Sequence, residues 1–271
     1  MKTRILVAAI GLPLLLLIVL VLPTYATAIL VAAMCGIGAY ELLYQAGFLK
    51  HLRILIYTIV AAVAVCAWSW LGRNPAIGGA VVLVYLSALF GEMLGAHTQL
   101  KFRSICAAMF AGLGIPYLLG ALIRLRCMEN GQFYILTAFL LTMVPDSGAY
   151  FIGRAIGKRK LAPIISPNKT VEGAVGGAVC AVVAMLLYAL VLQLFFRFRV
   201  NYLFAIVYGV LGAGGSILGD LAFSVIKRQV KIKDYGNLLP GHGGILDRFD
   251  STMLVAPLVE ILLLTIPFAV K

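Results

Sequence analysis

The chain has 271 residues, of which 63% are hydrophobic and 12% charged, with a mean hydropathy of +1.05. That composition excludes an ordinary soluble domain and indicates a polytopic membrane protein. The formal charge of +12 sits in loops between apolar runs, which points to anionic lipid headgroups and phosphate-bearing substrates rather than nucleic acid.

A membrane-crossing helix needs about 20 apolar residues. Nine stretches supply them: 5–22, 26–43, 54–71, 77–95, 105–123, 132–153, 171–194, 202–227 and 251–268. The expected fold is all-α, a polytopic integral membrane protein of about nine helices. Lys2 and Arg4 before the first run, and Ala26 to Ala28 after it, superficially resemble a signal peptide. The apolar run exceeds the usual core of roughly 7–15 residues, so it is read as a retained helix. Pro23 separates the first two runs, and Pro13 and Pro116 predict kinks. No internal repeat or low-complexity linker is evident. The five cysteines are scattered without a CxxC pair, and are read as core or lipid-facing residues.

Loop charge sets the topology. With the N-terminus in the cytoplasm, sixteen of the 22 Lys and Arg fall on the cytoplasmic side and the C-terminus lies outside. Arg124, Arg126, Arg197 and Arg199 run against the rule. The first hundred residues carry only Glu41 and Glu92 as acids, read with Glu129 and Glu260 as interfacial caps or helix pairs. Residues 1–100 are therefore assigned to a scaffold with lipid or homodimer contacts. Residues 101–271 are assigned to a catalytic region with cytoplasmic loops 154–170 and 228–250.

All five aspartates lie in the second half, at or beside cytoplasmic helix ends in this topology. Asp146 follows Pro145 and precedes Ser147 and Gly148, where a helix is locally weakened. With Tyr150 and Arg154 it shares one helical face. The bland alternative is an Asp146–Arg154 pair that only holds helices together. After the basic loop 154–160 comes Ser166-Pro-Asn-Lys-Thr-Val-Glu172-Gly173, in which Glu172 suits either a helix start or a substrate site.

The third constellation runs from 209 to 250. Glycines at 209, 212, 214, 215 and 219 favour close packing or ligand approach. Ser216, Asp220, Ser224, Lys227 and Arg228 stack on one face of a helix. A carboxylate in an apolar helix needs a cation, a basic group or a water-filled cavity. Lys231, Lys233, Asp234, His242, Asp247, Arg248 and Asp250 follow around a Pro-Gly-His-Gly-Gly turn whose bared N–H groups suit phosphate. Carboxylates with Lys and Arg around such a turn are what a metal–nucleotide site requires. His242 is read as a general base, a phosphate contact or a loop-ordering group. There is no GxxxxGK[ST] loop, GxSxG elbow or HExxH motif.

Ser224-Val-Ile-Lys-Arg228, Lys233-Asp234, Gly236, Leu239-Pro240 and His242-Gly-Gly-Ile-Leu-Asp247-Arg-Phe-Asp250 together resemble the signature of the phosphatidate cytidylyltransferase (CDP-diacylglycerol synthase) family. The Asp-x-Gly-Ala-Tyr segment at 146–150 and the Ser166–Gly173 element extend the likeness, with Asn168 standing where the family has Lys. The resemblance is sharp over 142–250. It implies transfer of cytidylate from CTP to phosphatidic acid, giving CDP-diacylglycerol and pyrophosphate. It implies Mg2+, with a second cation such as K+, held by Asp220 and Asp247, with Asp250 and Asp146 in support. Lys169, Lys227, Arg228, Lys233 and Arg248 would hold phosphates, and Ser224 phosphate or metal-bound water. Ser166, Thr170, Glu172, Asp234, Gly243 and Gly244 complete the implied substrate site. A bacterial inner membrane with a cytoplasmic active site is the implied location.

Two other readings remain open on sequence. An ion- or proton-coupled transporter would also use intramembrane carboxylates and Gly-broken helices. A structural lipid-binding protein would use the basic loops alone, leaving Asp220 and Asp247 without a purpose.

Overall fold

A computed structural model describes the chain apart from residues 1–8, 10, 12, 97–99 and 239–242. Seven helices are long and apolar enough to cross a membrane: α1 (Thr24–Gln45), α2 (Leu52–Trp70), α3 (Pro75–Gly95), α4 (Phe102–Cys127), α5 (Gly131–Ile156), α6 (Val171–Phe196) and α7 (Tyr202–Gln229). These match seven of the nine expected runs, and the all-α integral membrane class holds. An eighth helix, α8 (Leu246–Thr265), covers most of the last run. It starts earlier than the apolar pattern, so Asp247, Arg248, Asp250 and Glu260 ride on it. Of the first run, residues 5–8, 10 and 12 lie outside the described residues, and its end is a widened turn at Leu17–Val21. Another widened turn, Phe110–Gly114, precedes Pro116 in α4, as a proline without its N–H requires.

Contacts divide the chain into two units. Unit 1 comprises Met1–Gln132 and Lys227–Phe249. Here α1, α2 and α4 pack on one another, with α3 against α2. The buried stripe of α1 runs Val31, Cys35, Ala39 and Leu42, and α2 presents Ala61, Ala62 and Cys66. Small residues at these positions let apolar helices approach without a hydrophobic driving force from lipid. The Cys35 and Cys66 sulfurs lie 3.8 Å apart as buried thiols. Tyr85 Oη ties three helices, sharing a 2.8 Å hydrogen bond with Thr58 and donating to the Ala108 carbonyl at 2.8 Å. Arg124 is buried, donating to Ser69 Oγ and the Tyr117 carbonyl, and Arg126 donates to the Val19 carbonyl. Both arginines serve internal contacts.

Unit 2 comprises Phe133–Ile226 and Asp250–Lys271. Its helices meet along glycine seams. A Cβ on Gly177 of α6 would come 2.5 Å from the Pro145 carbonyl of α5, and one on Gly219 of α7 would come 2.6 Å from the Asp250 carbonyl of α8. Gly209, Gly212, Gly215 and Gly219 of the sequence's glycine cluster are thus used for helix contact, and Gly214 is not. Two short antiparallel pairs complete the unit. β1 (Lys160–Ala162) pairs with β2 (Ser166–Thr170) between α5 and α6, and β3 (Arg199–Val200) pairs with β4 (Ala269–Val270).

Candidate phosphate and cation site

A cavity of about 450 Å³ lies within unit 2. From α5, Asp146, Tyr150 and Arg154 line it at four-residue steps, as the helical period requires. From β2 come Asn168, Lys169 and Thr170, and from α7 Asp220. Asp146 accepts from Ser216 Oγ at 2.9 Å and Ser251 Oγ at 3.4 Å. Arg154 instead donates to Tyr150 Oη at 3.3 Å, so the purely structural Asp146–Arg154 pair does not form. Two hydroxyls, rather than a basic side chain, hold Asp146 at the cavity wall.

Asp220 accepts from Ser224 Oγ at 3.1 Å, one helical turn on. Its other oxygen forms an ion pair with the Lys169 ammonium. Thr170 caps α6 by accepting from the Gly173 N–H at 3.1 Å. Glu172 accepts from the Lys158 N–H at 3.0 Å and the Arg159 N–H at 3.1 Å, which fastens the basic loop to the start of α6. At the start of α6, Glu172 has the geometry of a loop clamp. Ser166 pairs through its backbone with Ala162 in the β1–β2 hairpin. Asp250 is buried, its Oδ1 accepting from the Ser251 N–H at 2.7 Å.

Unit 1 holds the other half of the predicted residues. Lys227 Nζ lies 2.7 Å from Asp247 Oδ1, and both side chains are buried. Asp247 Oδ2 accepts from the Tyr235 N–H at 2.7 Å and the Gly244 N–H at 3.0 Å. The last contact is the back-reach of an acid in the first helical turn, as in a capping box. Gly243 has φ +85°, a turn only glycine adopts cheaply. Arg228, Lys233, Asp234 and Arg248 are exposed, with Arg228 donating to the Ile232 carbonyl at 3.4 Å. His242 lies outside the described residues.

Glu41, read from the sequence as a cap or helix pair, is a cap, and what the sequence did not show is that it serves this loop. It is buried in α1 and accepts from the Ile245 and Leu246 N–H groups, each at 2.9 Å. It caps a helix 204 residues further along the chain. The only available signal was a carboxylate in an otherwise apolar run, which says that a partner exists but not which.

Among the described residues, no three His, Cys, Asp or Glu side chains gather. Mg2+ is commonly held by one or two carboxylates, with substrate phosphates and water completing the shell. Asp146 and Asp220 on one cavity wall fit that requirement, and the lysine on Asp220 marks a place that already attracts a cation. Asp247 has three of about four acceptor positions engaged. In unit 1 it serves the lysine and the loop.

The chain matches the cytidylyltransferase family over residues 2–266. It is 47% identical over 165 residues to the phosphatidate cytidylyltransferase of Staphylococcus saprophyticus, covering 60% of this chain and 62% of that protein. It is 46% identical over 158 residues to that of Bacillus subtilis, covering 58% and 56%. For Staphylococcus haemolyticus the figures are 45% over 163 residues, 59% and 61%. The chain thus spans roughly 60% of the length of the curated relatives it matches. With the family pattern running from residue 2 to residue 266, the chain belongs to the cytidylyltransferase family.

Proposed function

We propose that this protein transfers cytidylate from CTP to phosphatidic acid, leaving CDP-diacylglycerol in the membrane and releasing pyrophosphate. The observation that carries this reading is the identity of 45–47% to enzymes named phosphatidate cytidylyltransferase, in a chain holding the full Ser224–Asp250 pattern. An oxygen of the lipid phosphate attacks the α-phosphorus of CTP. The new P–O bond forms as the bond to the α–β bridging oxygen breaks, and the electron pair departs with pyrophosphate. The lipid phosphate is already ionised at neutral pH, so no protein base is required. The demand is charge neutralisation and in-line alignment.

Lys169, Lys227, Arg228, Lys233 and Arg248 are proposed to neutralise and orient phosphate oxygens. Thr170, Glu172, Gly243 and Gly244 shape the backbone around them, and Ser166 and His242 contact substrate or order the loops. Mg2+ at Asp220 and Asp146, with Asp250 in support and a second cation such as K+, would supply further phosphate neutralisation. Lipid tails would lie beside exposed apolar residues of α5 and α6 such as Phe151 and Val175. The exposed apolar face of α3 suits lipid or a second copy of the chain. The loop charges support an inner membrane location with the active site toward the cytoplasm. No observation favours a transporter.

The test is purified protein in detergent with labelled CTP, phosphatidic acid and Mg2+. Lipid-linked cytidylate and equimolar pyrophosphate are expected. Their joint absence overturns the reading.

A further inference from the structure

A second cavity, of about 310 Å³, lies within unit 1 at the end of α1. Tyr40 and Tyr44, one turn apart, line it with ring centroids 5.4 Å apart and planes 14° from parallel. Gln45 follows them. The loop after α7 contributes Asp234, Gly236 and Asn237. We infer that this cavity receives the cytosine ring of CTP, an inference that rests on the transfer reading above.

The side chains match that base group by group. An ionised carboxylate only accepts hydrogen bonds. Cytosine offers an exocyclic amino donor where uracil offers a carbonyl oxygen, so Asp234 attracts the first and repels the second. Gln45 and Asn237 carry amide donors for the ring nitrogen and the carbonyl oxygen of cytosine. The tyrosine pair supplies a flat aromatic face on which a base stacks. Gly236 lets the loop pack closely on the end of α1, since a Cβ there would stand 2.6 Å from Gln45 Oε1 and 2.7 Å from Glu41 Oε1.

The loop wall is held in place. The Tyr235 N–H donates to Asp247, and the Lys227 ammonium lies 5.5 Å from the centre of the Tyr235 ring. The aspartate marked by the family pattern therefore also positions the two residues on either side of Tyr235. Base choice and phosphate handling share one set of contacts.

The experiment compares CTP and UTP as donors to phosphatidic acid in mixed micelles. Wild-type protein is expected to favour CTP. D234N should lose roughly 10- to 100-fold of that preference, through a raised KM for CTP with the KM for phosphatidic acid unchanged. Y44L should raise the KM for both nucleotides about tenfold. Thermal midpoints confirm folding, and N237L replaces D234N if that variant does not fold. Folded variants with the wild-type CTP:UTP ratio and KM overturn the cavity assignment and leave cytidylate transfer standing. If wild-type protein turns over no CTP, calorimetric binding decides. CTP binding tighter than UTP in wild type but not in D234N upholds the cavity and sinks the transfer reading, and equal binding of both nucleotides overturns the cavity.

Discussion

Asp220 and Asp247 each sit against a lysine, and the two pairs differ in what they can give up. Asp220 is half-buried, shares a cavity with Asp146, and pairs there with the Lys169 ammonium where a cation is proposed to bind. D220N should therefore lower turnover by about 10²–10³-fold while the detergent melting profile stays unchanged. K169M should raise the KM for CTP without changing the fold. Lys227 and Asp247 are buried together, so K227A leaves a buried charge without its cation and should cost about 3–5 kcal/mol in denaturant midpoint. D247N combined with K227A should recover part of that loss, and a double variant no more stable than K227A alone would count against the pairing. The stacking of Ser216, Asp220, Ser224 and Lys227 was legible because a helix repeats every 3.6 residues. The Lys169–Asp220 pair was not, since nothing local links a short strand to a helix 51 residues later.

At the scale of elements, apolar runs of the right length gave seven helices directly, because lipid forces backbone hydrogen bonds to close within each segment. The start of α8 escaped, since Asp247, Arg248 and Asp250 interrupt the apolar pattern where the helix begins. The β1–β2 hairpin escaped too, being three and five residues long inside a basic loop. The α5–α6 seam makes a specific prediction. Gly177→Val would force a Cβ against the Pro145 carbonyl and should destabilise by about 1–3 kcal/mol, read as a lower thermal midpoint. Gly214→Ala is the control, because a Cβ there meets nothing within 4 Å.

For the whole molecule, composition alone excluded a soluble protein, and charge counting proposes an orientation. Cysteines introduced as Lys158→Cys and Asn237→Cys, in a background lacking exposed thiols, should react with an impermeant reagent from the cytoplasmic side only. Arg73→Cys should react from the opposite side only. Labelling of Lys158→Cys from outside would reverse the topology.

The carboxylate of Glu41 carries a consequence for biogenesis. It is made early, but the amides it serves are synthesised 204 residues later. Until then the carboxylate lacks those two amide partners, and the turn before α8 is clamped only where α1 is already in place. A fragment beginning at residue 101 should therefore insert yet stay inactive, and co-expression with residues 1–100 should restore it. Glu41→Gln in the shorter piece should abolish that rescue, making the opening segment a folding partner of the turn before α8.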